Sequence, residues 1–148
     1  MNAFQQEVID MLGLKEEEIS PLSTNEAELL YAHAYDIYQK KEYRSAVKLF
    51  SQLVVTNPFS LDYWKGLASA QQMAREYLAA LHAWALTSIL SENDPLPHMH
   101  AAECYFKTGE SEEALKALDL ALDLAQDRPD LIDRIHSLKA AHHAHHPS

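Results

Sequence analysis

Small and large apolar residues recur along this chain with a fixed period, and the period predicts its elements. Ala46, Ala80 and Ala114 stand 34 residues apart, and Ala34, Ala68 and Ala102 form a second series at the same spacing. Laying residues 27–60, 61–94 and 95–128 over one another also aligns Leu30 with Trp64 and His98, Tyr43 with Tyr77 and Ser111, and Phe50 with Trp84 and Leu118. A repeat of this length is the mark of stacked helix pairs, because one pair cannot bury its apolar face alone. The small residues let two helices approach closely and the large ones fill the space between pairs. Turns fall at one phase, at Lys40-Lys41-Glu42, Ala74-Arg75-Glu76 and Thr108-Gly109-Glu110. Pro58 closes the first repeat, and Asn93-Asp94-Pro95-Leu96-Pro97 separates the second from the third, since proline does not continue a helix.

Outside the repeats, Phe4, Val8, Ile9, Met11 and Leu12 form a helical stripe over residues 3–12, with Gly13 as its stop. Residues 15–24 read as a polar connector containing Pro21. Leu131, Ile132, Ile135 and Leu138 lie at helical spacing within 130–141 and read as the closing helix that such a stack needs. The expected fold is all-α, with seven helices and a short tail. It divides into residues 1–26 (N-terminal helix and connector), 27–128 (three repeats) and 129–148 (capping helix and His-rich tail).

Composition narrows the classes of function. Twelve basic residues face twenty-two acidic ones, for a net charge of −10. A nucleic-acid partner needs a concentrated basic face, and only the short cluster Lys40, Lys41, Arg44 is present. No apolar run reaches membrane-spanning length, and residues 1–7 lack the basic start of a secretory signal. The single cysteine, Cys104, rules out an intrachain disulfide and reads as a small packed apolar residue. No phosphate loop, metalloprotease pattern or nucleophile motif occurs, so an enzyme is not expected. No cofactor is expected either.

The comb resembles the tetratricopeptide repeat. The match is fullest in residues 61–94, through Trp64, Leu67, Ala68, Tyr77, Ala80 and Trp84. Lys41 and Arg75 stand where that pattern has a small residue. Glu92 stands where it has proline, so the second helix of repeat two is expected to run past Leu90. Within such proteins, the run Leu30 to Gln39 followed by Tyr43, Ala46, Lys48 and Phe50 resembles the first repeat of the class II chaperones of bacterial type III secretion, the low-calcium-response H family. Lys65-Gly66-Leu67-Ala68 and, above all, Pro97-His98-Met99-His100-Ala101-Ala102-Glu103-Cys104 with Gly109-Glu110 extend the likeness. The resemblance implies a chaperone in the bacterial cytosol, neither membrane-inserted nor nucleic-acid-binding. It would hold hydrophobic translocator proteins through an extended Pro-x-Leu-x-x-Pro type segment in a concave groove, and would form homodimers through its N-terminal helix.

In tetratricopeptide repeats the groove face is formed by the first helix of each pair. Here that face carries Tyr31, Tyr35 and Tyr38, then Lys65, Ser69 and Gln72, then Met99, Glu103, Phe106 and Lys107. Tyrosines one turn apart offer flat apolar rings with hydroxyls to spare, which suits an extended proline-containing peptide. On periodicity alone a tyrosine stripe reads equally as packing, and the lysines as solvated surface. Phe4, Val8 and Ile9 are the candidate dimer contact, against simple packing on the first repeat. His142, His143, His145 and His146 form a cluster with the donor chemistry for nickel or zinc. They lack a carboxylate or cysteine partner in sequence, so the tail reads as flexible and no metal site is assigned. His33 and His82 read as structural, and His98 and His100 as unrelated to any site. Two other functions stand beside the chaperone. One is a general tetratricopeptide adaptor for acidic C-terminal tails, disfavoured because Tyr31 and Tyr35 occupy positions where that clamp needs Lys and Asn. The other is a metal carrier using the histidine tail.

Overall fold

The structure is a computed structural model that describes residues 2–19 and 21–145. Among them are eight α-helices and one short 3-10 turn, and no strand. The helices are α1 (Ala3–Leu12), α2 (Thr24–Gln39), α3 (Tyr43–Thr56), α4 (Leu61–Met73), α5 (Tyr77–Leu90), α6 (Leu96–Lys107), α7 (Ser111–Leu124) and α8 (Pro129–His145). The expected all-α class is what is found, but the helix count is eight and not seven: three pairs account for six, and the first and last helices flank them.

Local chemistry sets the boundaries. Asn2 and Gln5 form a reciprocal cap at the start of α1, and Gly13, at φ 68°, closes it with its N–H on the carbonyls of Asp10 and Ile9. Ser23 and Glu26 cap α2 in the same reciprocal way. The α2–α3, α4–α5 and α6–α7 turns are built identically. The amides of Glu42, Glu76 and Glu110 reach back to the carbonyls of Ile37, Gln71 and Tyr105 at 3.2, 2.9 and 2.8 Å. Each turn needs one residue in the left-handed region, and those residues are Lys41 (φ 65°), Arg75 (φ 64°) and Gly109 (φ 78°). Glycine alone adopts this geometry without steric cost.

The second helix of repeat two does not run past Leu90. The Ser91 hydroxyl donates to the Thr87 carbonyl at 2.5 Å, and the Asp94 amide folds back onto Ser91 at 3.0 Å. This turn satisfies the helix end before Pro95 arrives. The tail is likewise not irregular from residue 142: α8 continues through His142 and His143 to His145, while His146 lies outside the described residues.

The chain divides into two compact units, Met1–Ala83 and Trp84–Ser148. In the first, α1 packs on α3 through Val8 and Ile9, and the Gln5 amide donates to the Val55 carbonyl at 3.0 Å. Ala34, Ala46, Phe50, Trp64, Leu67, Ala68 and Ala80 are wholly buried, and the Trp64 indole N–H donates to the Pro58 carbonyl at 2.8 Å. In the second unit, Met99, Ala102, Ala114, Leu118, Ala121, Leu131 and Ile135 share one core. Both alanine series are therefore core contacts. His33 and His82, by contrast, are exposed, so the structural role expected for them fails.

The left-handed turns generate a prediction of opposite signs. Arg75→Gly relieves about 1–2 kcal/mol of left-handed strain and gives back part of it as unfolded-state entropy, for a net gain of about 0.5 kcal/mol. Gly109→Ala should lose about 1 kcal/mol at the equivalent turn. Urea midpoints measure both, and equal shifts for the two variants would contradict the strain account.

Candidate functional site

Four tyrosines gather on α2 and α4 of the first unit. The Tyr31 ring meets Tyr35 edge-on at 5.0 Å, Tyr63 at 5.3 Å and the buried Phe50 at 6.2 Å. Tyr35 also stands edge-on to Phe50 at 5.5 Å, and Tyr38 meets Tyr43 at 5.3 Å. Edge-to-face contacts of this kind contribute roughly 0.5–1.5 kcal/mol each beyond area burial. They fix the rings in the free protein. Burial, followed by a side-chain hydrogen bond with Tyr35, pushes the Tyr31 hydroxyl well above its ordinary pKa. Tyr38 is shifted up by burial first and then by Tyr43 and Tyr35. Both stay neutral hydrogen-bonding groups throughout the physiological range.

Beneath the tyrosines lies a recess of about 50 Å³ lined by Tyr35, Tyr38, Phe50, Gly66 and Ser69. Three of these five were expected from sequence. Its floor exists because Gly66 has no side chain: a Cβ there would overlap the Phe50 ring. Tyr35 remains 39% exposed, so the ring array faces outward. The unit thus offers a rigid aromatic surface with one small apolar notch. That arrangement can hold an extended chain by ring faces and hydroxyls, and it places no nucleophile or acid–base pair.

Lys65 and Gln72 lie half-buried on α4 and, like Ser69, on the α4 face that was expected to bind. In the second unit, Glu103, Phe106 and Lys107 come together around a separate recess of about 460 Å³, completed by Gly109, Ser111, Leu138, Ala141 and His142. Phe106 stacks on His142 at 5.1 Å. Glu103 is held by His100 Nδ1 at 2.6 Å and by Arg134 at 3.7 Å, and His100 stacks on Trp84 at 4.6 Å. His100 therefore has an organised role where none was expected. Burial lowers the pKa of His98, against the opposing pull of Asp94.

Three of the expected contacts require correction. Met99 is 1% exposed and belongs to the same core as Leu131 and Ile135, so it cannot line an open groove: α8 has taken that stretch of the α6 face. Val8 and Ile9 are buried in the α1 packing on α3 and are not free for a dimer contact. Phe4, their partner in that expectation, stacks on Phe59 at 5.1 Å. Among the described residues no three histidine, cysteine or acidic side chains gather to hold a metal, and no helix is long and apolar enough to cross a membrane.

Sequence reasoning missed Tyr63, Phe50 and Gly66. Tyr63 falls on a repeat position outside the assigned face, and Phe50 was assigned to packing. Gly66 did carry a signal, since a glycine inside a helix costs about 1 kcal/mol and marks a close approach.

The tetratricopeptide-repeat family model matches residues 28–55 and 61–94. Low calcium response locus protein H of Yersinia pseudotuberculosis is 32% identical over 112 residues, covering 76% of this chain and 67% of that protein. The Yersinia enterocolitica translocator chaperone SycD, solved with a peptide of the translocator YopD, is similar with a TM-score of 0.75 and 31% identity over 80% of this chain and 93% of that one. A further SycD crystal structure is described as an alternative dimer. PcrH of Pseudomonas aeruginosa, bound to the chaperone binding region of PopD, has a TM-score of 0.76 and 28% identity, with 84% and 96% of the two chains covered.

Two outcomes check this geometry. Gly66→Ala should destabilise the fold by about 1–3 kcal/mol through overpacking on Phe50, read as a lower urea midpoint with the denaturant slope unchanged. The Cys104 thiol is pushed by burial from its ordinary 9.0 up to about 12. Its folded-state proton is held more tightly than in the unfolded chain, so stability is full below about pH 9 and declines as pH rises from there toward 12. At pH 8 the native thiol should resist a disulfide reagent that labels the urea-unfolded chain rapidly. Equal rates would put Cys104 at the surface.

Proposed function

This chain belongs to the family of type III secretion chaperones that includes low calcium response locus protein H and SycD, and on that premise we propose that its tyrosine surface is where it holds its clients. The clients are hydrophobic translocator proteins, kept soluble and competent for secretion, and the chain is a chaperone and not a catalyst. Its work is done in the bacterial cytoplasm, as a homodimer. An extended segment of the translocator, of Pro-x-Leu-x-x-Pro type, lies across Tyr31, Tyr35 and Tyr38 and continues past Lys65, Ser69 and Gln72. The domain reading that goes with this is residues 27–128 as the repeats, flanked by residues 1–26 and 129–148.

One observation carries this reading. Tyr31 and Tyr35 brace each other and Phe50, Tyr38 is braced by Tyr43, and Tyr35 and Tyr38 border a notch floored by Phe50 and Gly66. Proline rings and small aliphatic side chains pack well on such faces. A segment lacking regular structure gains most from a surface that is already ordered. The adaptor reading has no comparable support, because the positions that would clamp an acidic tail are aromatic and neutral.

Co-expression with candidate translocator proteins tests the proposal. Tyr31→Ala combined with Tyr35→Ala should weaken capture by about 2 kcal/mol or more, some thirtyfold, with helical circular dichroism retained. Undiminished capture by the folded double variant would put the client elsewhere.

A further inference from the structure

The larger recess of the second unit is not accounted for by the tyrosine surface. It opens where α8, packed chiefly on α7, stands beside the C-terminal half of α6. Its walls are apolar: Phe106 from α6, with Leu138 and Ala141 from α8. The Phe106–His142 stack forms one side. At about 460 Å³ it falls within the range of cavities that accept a ligand group, and it has room for a large side chain.

Its charge is one-sided. Two of the lining residues are formally charged at neutral pH, Glu103 and Lys107. Glu103 is committed to His100 and Arg134 within the chain. The nearby acids at the start of α7 are also engaged: Glu110 accepts from the Thr108 hydroxyl at 2.9 Å, and Glu112 and Glu113 pair with Lys116. Lys107 is exposed and makes no ion pair with any described residue. In a chain of net charge −10, this recess therefore presents an apolar interior beside an unpaired cation.

Building on the chaperone reading, we propose that the recess between α6 and α8 is a second subsite for the client polypeptide, taking a bulky apolar side chain that stands next to a carboxylate. The large side chain enters between Phe106, Leu138 and Ala141, and the neighbouring carboxylate meets the Lys107 ammonium at the rim. The two requirements act together. Apolar burial supplies most of the affinity, and the ion pair, being exposed, supplies discrimination. The histidine at position 142 then has a place in the molecule as a wall of this recess, without any metal.

The test uses the full chain, isotope-labelled for amide resonances, and three blocked tetrapeptides. One carries tryptophan next to aspartate, one tryptophan next to asparagine, and one alanine next to aspartate. The tryptophan–aspartate peptide should shift resonances of residues 106–111 and 138–142. The asparagine peptide should bind about threefold to fivefold more weakly, and the alanine peptide about tenfold or more. Lys107→Glu, a surface change that should leave the fold intact, should remove the preference for aspartate. Ala141→Trp should fill the recess and abolish binding. If that variant misfolds, Lys107→Glu alone decides. Shifts confined to Tyr31, Tyr35 and their neighbours, or equal binding of the aspartate and asparagine peptides, would overturn the proposal. The peptides involve no translocator, so the two readings fail separately. Absent peptide binding alongside intact translocator capture removes only the recess, and peptide binding alongside undiminished capture by the Tyr31→Ala, Tyr35→Ala variant removes only the tyrosine surface.

Discussion

The close approach of helix to helix is the constraint on which this structure depends. Where a methyl group or a hydrogen is all that stands at a crossing, two backbones approach and their larger neighbours interdigitate. Ala34, Ala46, Ala68, Ala80, Ala102 and Ala114 all sit at zero exposure, and Gly66 takes the approach one step further by letting Phe50 lie flat over α4. Every larger feature inherits its position from these contacts. Phe50 can floor the notch only because Gly66 is bare, and Tyr31 and Tyr35 stand at fixed angles only because Phe50 is held beneath them.

The same constraint explains why strain is tolerated at two of the three turns. The turn must reverse the chain within a few residues to keep the alanines in register, and the left-handed residue does this. Gly109 meets the demand without cost, while Lys41 and Arg75 meet it against their own preference. The amide-to-carbonyl bonds of Glu42 and Glu76 at these turns, together with the buried faces of α2, α3 and α4, outweigh an expense of about 1–2 kcal/mol at each.

The repeating part of the fold was legible in the sequence because it rests on spacing. The alanine series, the turn phase, the Gly13 stop and the start of α6 at its prolines all reappear in the structure. What periodicity does not carry is which of two apolar faces a neighbour will cover. Val8 and Ile9 mark an apolar stripe equally well for an internal or an external partner, and they turn inward onto α3. Met99 occupies the repeat position equivalent to Tyr31 and Lys65, yet it lies in one core with Leu131 and Ile135 of α8. The end of α5 was misplaced for a related reason: the absence of proline at Glu92 is a weaker signal than the Ser91 hydroxyl and the Asp94 turn. Contacts that cross between helices without a repeat relation, such as Trp84 on His100 and Glu103 with Arg134, leave no trace in a periodic frame.

A chaperone that must give up its client needs contacts that are ordered in advance but individually shallow. Order reduces the entropy lost on binding, and it is supplied here by rings that brace one another before any peptide arrives. Shallowness is supplied by the notch itself, which at about 50 Å³ has room for only a small group and buries little of it. Affinity then grows with the number of such contacts along an extended segment and falls away stepwise as the segment peels off. A deep pocket would concentrate the same energy in one residue and make release a single difficult step. A phenol of ordinary pKa is already neutral near pH 7, and burial pushes the Tyr31 and Tyr38 hydroxyls further up, so on this reading they would meet a carbonyl without the hold of a charge. On the proposed reading, an acidic chain would hold its client on a largely aromatic surface, by area and shape more than by charge.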